Sequence, residues 1–208
     1  MAQPRTGGAT NGGAPRRHGS EVDLEPMAGV PMTLQEYMAT PEGLGYNLLD
    51  GLCHREEPTV EHQVIVANVV GMLQRYARAS GFGRALPAIN LDLDERNQPA
   101  PDACLVSRGR YARLHGRALH GLAPDICVEV LSPSTARHDR GRKADLYARY
   151  GCLEYWIVDG ARRRVEVYRP GPEDGRFDLV DTFGTGEAFA SAAAPGMNVK
   201  VDEVFAED

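Results

Sequence analysis

The run Ile126-Cys-Val-Glu-Val-Leu131 sets the tightest constraint on what this chain can become. A short apolar stretch of this kind is a strand buried on both faces, and Glu129 stands inside it. An ionised carboxylate cannot be left alone there, so it needs a cation, strong hydrogen-bond donors or a metal ion. A second run, Pro101-Asp-Ala-Cys-Leu-Val106, repeats the pattern with Asp102 at its start. Strand alternation places Cys127, Glu129 and Leu131 on one face, and Asp102 on a face with Cys104 and Val106. If the two strands are neighbours, both carboxylates come together.

A helix is expected from Ala136 or His138 to Tyr150, between Ser132-Pro133-Ser134 and the stop at Gly151. On it Lys143, Leu146, Tyr147 and Tyr150 fall at i, i+3, i+4 and i+7, so they share a face, and the apolar members turn that face to the sheet. The helix runs back along the strand it follows. Glu129 lies about 7 Å before the strand end at ~3.3 Å per residue, and Lys143 about 8–10 Å into the helix at ~1.5 Å per residue. The amine should therefore meet the acid at similar height. Asp139 can cap this helix or support Lys143, and capping is the preferred reading. Tyr147, Tyr150 and Trp156 read as core residues.

The rest of the chain supplies a frame for this unit. Thr33-Leu-Gln-Glu36 is a capping box opening a short helix that ends near Pro41. Tyr46–Asp50 and Leu52–Arg55 form a hairpin about Asp50-Gly51. A long helix over 60–79 starts from Thr59, carries Val66, Val69, Val70, Leu73 and Ala77 as its apolar stripe, and stops at Gly81. An extended segment over 84–93 precedes the Asp102 strand, and a basic loop over 107–122 follows it. LEYWIVD is a strand, Arg164–Arg169 and Phe177–Thr182 pair as a hairpin, and a last strand lies near Val199. A strand, helix, strand unit makes the ICVEVL and LEYWIVD strands parallel neighbours or near neighbours. The fold class is α/β, with a mixed central sheet flanked by helices and additional β-hairpins.

The first 28 residues are rich in Gly, Pro, Arg and polar side chains and have no apolar core segment, which marks them as a disordered leader to one domain over 29–208. No stretch approaches the roughly 18 apolar residues of a membrane span, so a soluble, cytoplasmic protein with no membrane partner is expected. Cys53, Cys104, Cys127 and Cys152 are scattered without a CxxC pair, which disfavours zinc and suits buried thiols in a reducing compartment. Net charge is −6. Residues 107–149 nevertheless hold eight Arg and one Lys against four acids, +5, leaving −11 for the remainder. That concentration fits a phosphate-backbone footprint and a solvated Arg-rich loop about equally well.

Pro101-Asp102, the segment VEVLSPS, the D-x-x-x-K spacing of Asp139 and Lys143, and GCLEYWIVD closely resemble the Uma-type restriction endonuclease family of the PD-(D/E)xK nuclease superfamily. The similarity runs from about Met32 to Val201 and includes LLDGL and EPTVEHQ. It implies a restriction-endonuclease-like core in which Asp102 and Glu129 bind Mg²⁺, with Mn²⁺ as an alternative, and a lysine orients the attacking water. The superfamily lysine stands two positions after the second acid, where this chain has Leu131, so Lys143 is the migrated substitute. His62 matches a position the family favours, and Glu61 beside it is a possible accessory contact. A satisfied structural histidine and a helix-dipole carboxylate explain the two as well.

The leading expectation is a Mg²⁺-dependent endonuclease acting on DNA, with Asp102, Glu129 and Lys143 catalytic and Arg108, Arg110, Arg113 and Arg117 on phosphates. A homodimer would suit cleavage of two strands. The competing class is a catalytically inactive nuclease-fold protein acting in nucleic-acid binding or regulation, motivated by Leu131 and the negative net charge. A purely structural reading makes Glu129 and Lys143 a buried ion pair and Asp102 a turn acceptor.

Overall fold

The computed structural model describes residues 28–39, 46–55, 58–115, 118–133, 135–172 and 175–207. Apart from Ala28, the expected leader lies outside them.

Local sequence signals account for the N-terminal elements. Thr33 caps α1 (Leu34–Met38) in a reciprocal box with Glu36. Strands β1 (Tyr46–Leu49) and β2 (Leu52–Arg55) pair antiparallel across Asp50 and Gly51. Both turn residues have positive φ, 56° and 75°, the geometry of the tightest hairpin turns, which explains a glycine at the second position. Helix α2 (Val60–Ser80) is capped by Thr59 and closed by Gly81 at φ 67°. Its buried stripe is His62, Ile65, Val69, Met72, Leu73 and Ala77, with Val66 and Val70 partly buried. The stripe is thus rotated toward Ile65 and Met72 relative to the expected one, because the helix beds between the sheet and the C-terminal segment rather than on the sheet alone.

Next come β3 (Gly83–Pro87), β4 (Asn90–Asp92) and β5 (Ala103–Ser107). The expected basic loop is more ordered than its composition indicates: it holds α3 (Arg108–Tyr111), β6 (Leu114–His115) and β7 (Ala118–His120). Strand β7 pairs parallel with β4, giving a small three-stranded sheet ordered β4-β7-β6. The C-terminal half runs through β8 (Ile126–Val130), α4 (Ala136–His138), a π-helical turn (Asp139–Lys143), α5 (Ala144–Arg149) and β9 (Glu154–Asp159). It ends with β10 (Arg164–Pro170), β11 (Phe177–Gly184), β12 (Ala188–Ala190), β13 (Asn198–Lys200) and α6 (Val201–Val204).

The central mixed sheet of the described residues has six strands in the order β11-β10-β9-β8-β5-β3. Strands β8 and β9 are parallel neighbours, as the crossover requires, while β5 runs antiparallel to both β8 and β3. Every residue of β8 and β9 is buried, so the continuous apolar reading of both strands follows from a sheet covered on two sides. One layer packs α2 and the C-terminal segment against Leu105, Ile126, Val128, Trp156 and Val158. The other packs α5 and the small sheet against Cys127, Tyr155 and Ile157 through Leu146, Tyr147, Leu91 and Leu119. The four cysteines are buried free thiols, and burial pushes those of Cys104 and Cys127 upward, which suits small core residues.

Candidate active site

The β5–β8 register assembles the acids. Ala103 faces Val128 and Cys104 faces Cys127, so the next antiparallel step outward sets Asp102 against Glu129 at one end of the sheet. Asp102 Oδ2 accepts the backbone N–H of Val130 at 2.7 Å and lies 3.3 Å from His62 Nε2. The side chain of Asp102 retains 15% exposure, and no hydrogen bond to its Oδ1 is found among the described residues. Glu129 is far more enclosed, at 2%. Its Oε2 accepts from Lys143 Nζ at 3.0 Å and its Oε1 from the Tyr147 hydroxyl at 2.6 Å. The expected meeting of Glu129 and Lys143 across strand and helix is therefore present.

The helix that delivers Lys143 changes pitch as it does so. Between α4 and α5 the chain makes a π-helical turn from Asp139 to Lys143, with both end residues buried. Such turns place an extra residue in a helix and recur at functional sites. Asp139 does not cap the helix, correcting the sequence expectation. Thr135 occupies the cap position, and Asp139 lies inside the helical run, 1% exposed, with Oδ1 3.2 Å from Lys143 Nζ. The contact lacks hydrogen-bond geometry, so both carboxylate oxygens are buried without a hydrogen bond among the described residues. The backbone carbonyl of Asp139 accepts from the Tyr155 hydroxyl at 2.9 Å. One ammonium thus serves two buried carboxylates.

Tyr147 is a core residue and also part of this cluster. Burial, then the charge of Glu129, pushes its hydroxyl well above the ordinary tyrosine value, so it remains a donor. Its spacing of four from Lys143 was the available signal, because the same helix face that buries the amine also buries the ring. Tyr150, one turn on, instead donates to Asp94 Oδ2 at 2.9 Å. Lys143 also borders a cavity of about 150 Å³ between the β1–β2 hairpin and α4. The rings of His54 and His138 meet beside that cavity, tilted by 53° with centroids 4.4 Å apart.

The other sequence-selected residues divide. His62 is buried against Asp102, whereas Glu61 is exposed on the same helical turn beside Gly160. Arg110 is held inward: its Nη1 donates to the carbonyls of Ala123 and Pro124, and its Nε lies 3.2 Å from Asp125 Oδ1. Arg108 and Arg113 are exposed on the far side of β5, and Arg117 lies outside the described residues.

The donor set bears on which ion could sit here. No cluster of three His, Cys, Asp or Glu side chains poised to cage a metal occurs among the described residues. Two carboxylates with lone pairs remaining are instead the kind of platform that Mg²⁺ uses, the other positions being filled by water and substrate oxygens. Asp102, Glu129 and Asp139 against Lys143 give a formal charge of −2 at the end of the sheet, which a divalent cation would balance.

Against this geometry, a family profile described as "Putative restriction endonuclease", Uma2, matches residues 34–202. The chain belongs to the Uma2 family. The matched segment takes in His62, Asp102, Glu129, Asp139, Lys143 and Tyr147. The Uma2 chain is also similar to a crystal structure from Anabaena variabilis described as a putative nuclease belonging to DUF820. The TM-score is 0.69 at 20% identity, over 84% of this chain and 98% of that one. At that identity the likeness establishes the shared mixed α/β fold. A search of curated proteins finds no match. Among the described residues of this Uma2 chain, no helix is long and apolar enough to cross a membrane.

Proposed function

We propose that the protein is a metal-dependent endonuclease that hydrolyses phosphodiester bonds in DNA. The observation that carries this reading is the β5–β8 register, which sets Asp102 opposite Glu129 while Lys143 reaches Glu129 from the returning helix. A buried ion pair alone gives weak reason for such a cluster, since apolar replacements of similar volume are often as stable. Asp139 adds a second buried acid to one amine, an excess that stability does not explain.

In this reading Asp102 and Glu129 hold Mg²⁺ or Mn²⁺. The ion supplies a more acidic bound water and neutralises charge on the phosphoryl oxygens. Asp102 is the more open of the two, with Oδ2 fixed on Val130. Tyr147 holds one oxygen of Glu129 and so fixes the carboxylate plane. Lys143 takes the place of the lysine missing at Leu131, orienting the attacking water and stabilising developing negative charge.

Purified protein should nick or cut plasmid DNA with Mg²⁺ or Mn²⁺, and Asp102→Ala should abolish that activity; undiminished cutting by the variant would overturn the assignment. The second reading is a non-catalytic nucleic-acid-binding protein of the same fold. It is favoured by Leu131 and by the engagement of both Glu129 oxygens. Calorimetric titration separates the two, because the second reading requires no Mn²⁺ binding and nucleic-acid affinity indifferent to Asp102 and Glu129.

A further inference from the structure

At the end of β5 away from Asp102, the C-terminus of α2, the start of β3 and the Arg108 and Tyr111 face of α3 border an open groove of about 390 Å³. That volume falls in the ligand-site range of roughly 300–1,000 Å³. Its walls are Arg78, Arg84, Arg108 and Tyr111, and no acidic residue lines it among the described residues. Gly81 and Gly83 also line it, Gly81 beneath the Arg108 guanidinium and Gly83 where β3 closes on the β5 backbone. A Cβ on Gly81 would meet Arg108 Nη2 at 3.0 Å, and one on Gly83 would strike the Val106 carbonyl at 1.9 Å.

The three arginines are exposed, and their guanidinium groups have no ion-pair or hydrogen-bond partner among the described residues. Their near neighbours behave differently. Arg75, three residues before Arg78 in α2, pairs with Glu203 at 2.7 Å, and Arg110 of α3 is bound to Asp125. An edge-strand charge that discourages strand pairing would account for Arg84 alone. It does not account for unpaired guanidinium groups from three separate elements converging on one groove in a chain of net charge −6. Tyr111, 42% exposed, adds an aromatic face to them. Guanidinium groups with an exposed ring match the chemistry of a single strand, phosphates on the cations and a base on the ring.

We propose that this groove binds single-stranded nucleic acid, with Arg78, Arg84 and Arg108 on neighbouring phosphates and Tyr111 stacked on a base. The site is separate from the candidate catalytic acids. Asp102 to Arg108 along β5 is about 20 Å at ~3.3 Å per residue, and His62 to Arg78 along α2 about 24 Å at ~1.5 Å per residue. From the functional reading it takes only that the partner is a nucleic acid; catalysis is not required.

The test is fluorescence anisotropy of the full chain in EDTA with a labelled 15-nucleotide thymidine strand and a 15-base-pair duplex. Divalent ions are absent, so a failure of nuclease activity does not affect the result. The wild type should bind the single strand more tightly than the duplex. Arg78→Ala/Arg84→Ala/Arg108→Ala should weaken binding at least tenfold and flatten the slope of log affinity against log salt by about 2, at ~0.7 for each phosphate no longer neutralised. The triple lysine variant should keep the wild-type slope. Tyr111→Ala should lose about fivefold or more with the slope unchanged. Absence of wild-type binding, unchanged affinity in the triple alanine variant, preference for duplex, or competition by a thymidine mononucleotide as tight as by the strand would each overturn the proposal.

Discussion

Asp102 Oδ2 accepts the backbone N–H of Val130 at 2.7 Å, so the first acid is fastened to the strand that carries the second. Stability and chemistry should therefore separate at this position. Asp102→Asn keeps an oxygen acceptor and should unfold within about 1 kcal/mol of wild type, whereas Asp102→Ala strands the Val130 N–H and should cost roughly 1.5–3 kcal/mol. Urea unfolding measures both values. Both variants should lack cleavage, and a fully active asparagine variant would contradict the proposed metal role.

Lys143 is the sole lysine or arginine in ion-pair contact with both Glu129 and Asp139 among the described residues, and all three side chains are at most 2% exposed. Lys143→Ala leaves two carboxylates in the core without it and should destabilise by about 3–5 kcal/mol. The combined Lys143→Met, Glu129→Gln, Asp139→Asn variant removes the charges together and should recover much of that loss while remaining inactive. Thermal melts of the two variants compared with wild type check the order.

Alkaline conditions should weaken the fold through its tyrosines. Burial leads the upward shifts of Tyr147 and Tyr155 to well above 10, and of Tyr168 to about 12. Below about pH 10 folded and unfolded chains both keep these protons, and the stabilising contribution is complete. Above it the unfolded chain ionises first, so stability falls with rising pH by about 1.4 kcal/mol per unit per tyrosine until the folded value is passed. Between pH 10 and 12, Tyr147→Phe should make the decline in unfolding free energy shallower by about one such increment. An identical slope would argue against a retained proton on Tyr147.

Gly141 lies within the π-helical turn, and a Cβ there would meet nothing within 4 Å. Gly141→Ala should therefore stabilise the helical segment by roughly 0.5–1 kcal/mol through reduced freedom of the unfolded chain. Chemical denaturation tests the sign. A loss of stability would show that the turn depends on glycine's backbone freedom.

Much of this architecture was legible locally. The Thr33–Glu36 box, the Asp50-Gly51 turn, the Thr59 cap and the paired runs around Asp102 and Glu129 are short-range signals, and each marks an element that formed. The β4–β7 pairing was hidden because it is parallel and joins segments separated by β5 and α3, so neither strand carries a turn signal for the other. Asp139 was misjudged through a boundary. As an N-cap it would need the helix to begin at Arg140, but the start at Ala136 puts it inside the run, where the spacing to Lys143 decides its contacts. The change to π pitch has no comparable mark in composition.

The antiparallel step between β5 and β8 also divides the labour of the chain. Asp102 precedes β5 and Glu129 lies near the end of β8, so the intervening connection, residues 108–125, leaves and re-enters at the opposite end of the sheet. Its exposed residues, such as Arg108 and Tyr111, can change without altering the register that brings the acids together. The pair of carboxylates is thus set by two strands alone, independent of the surface that the connection builds at the far end.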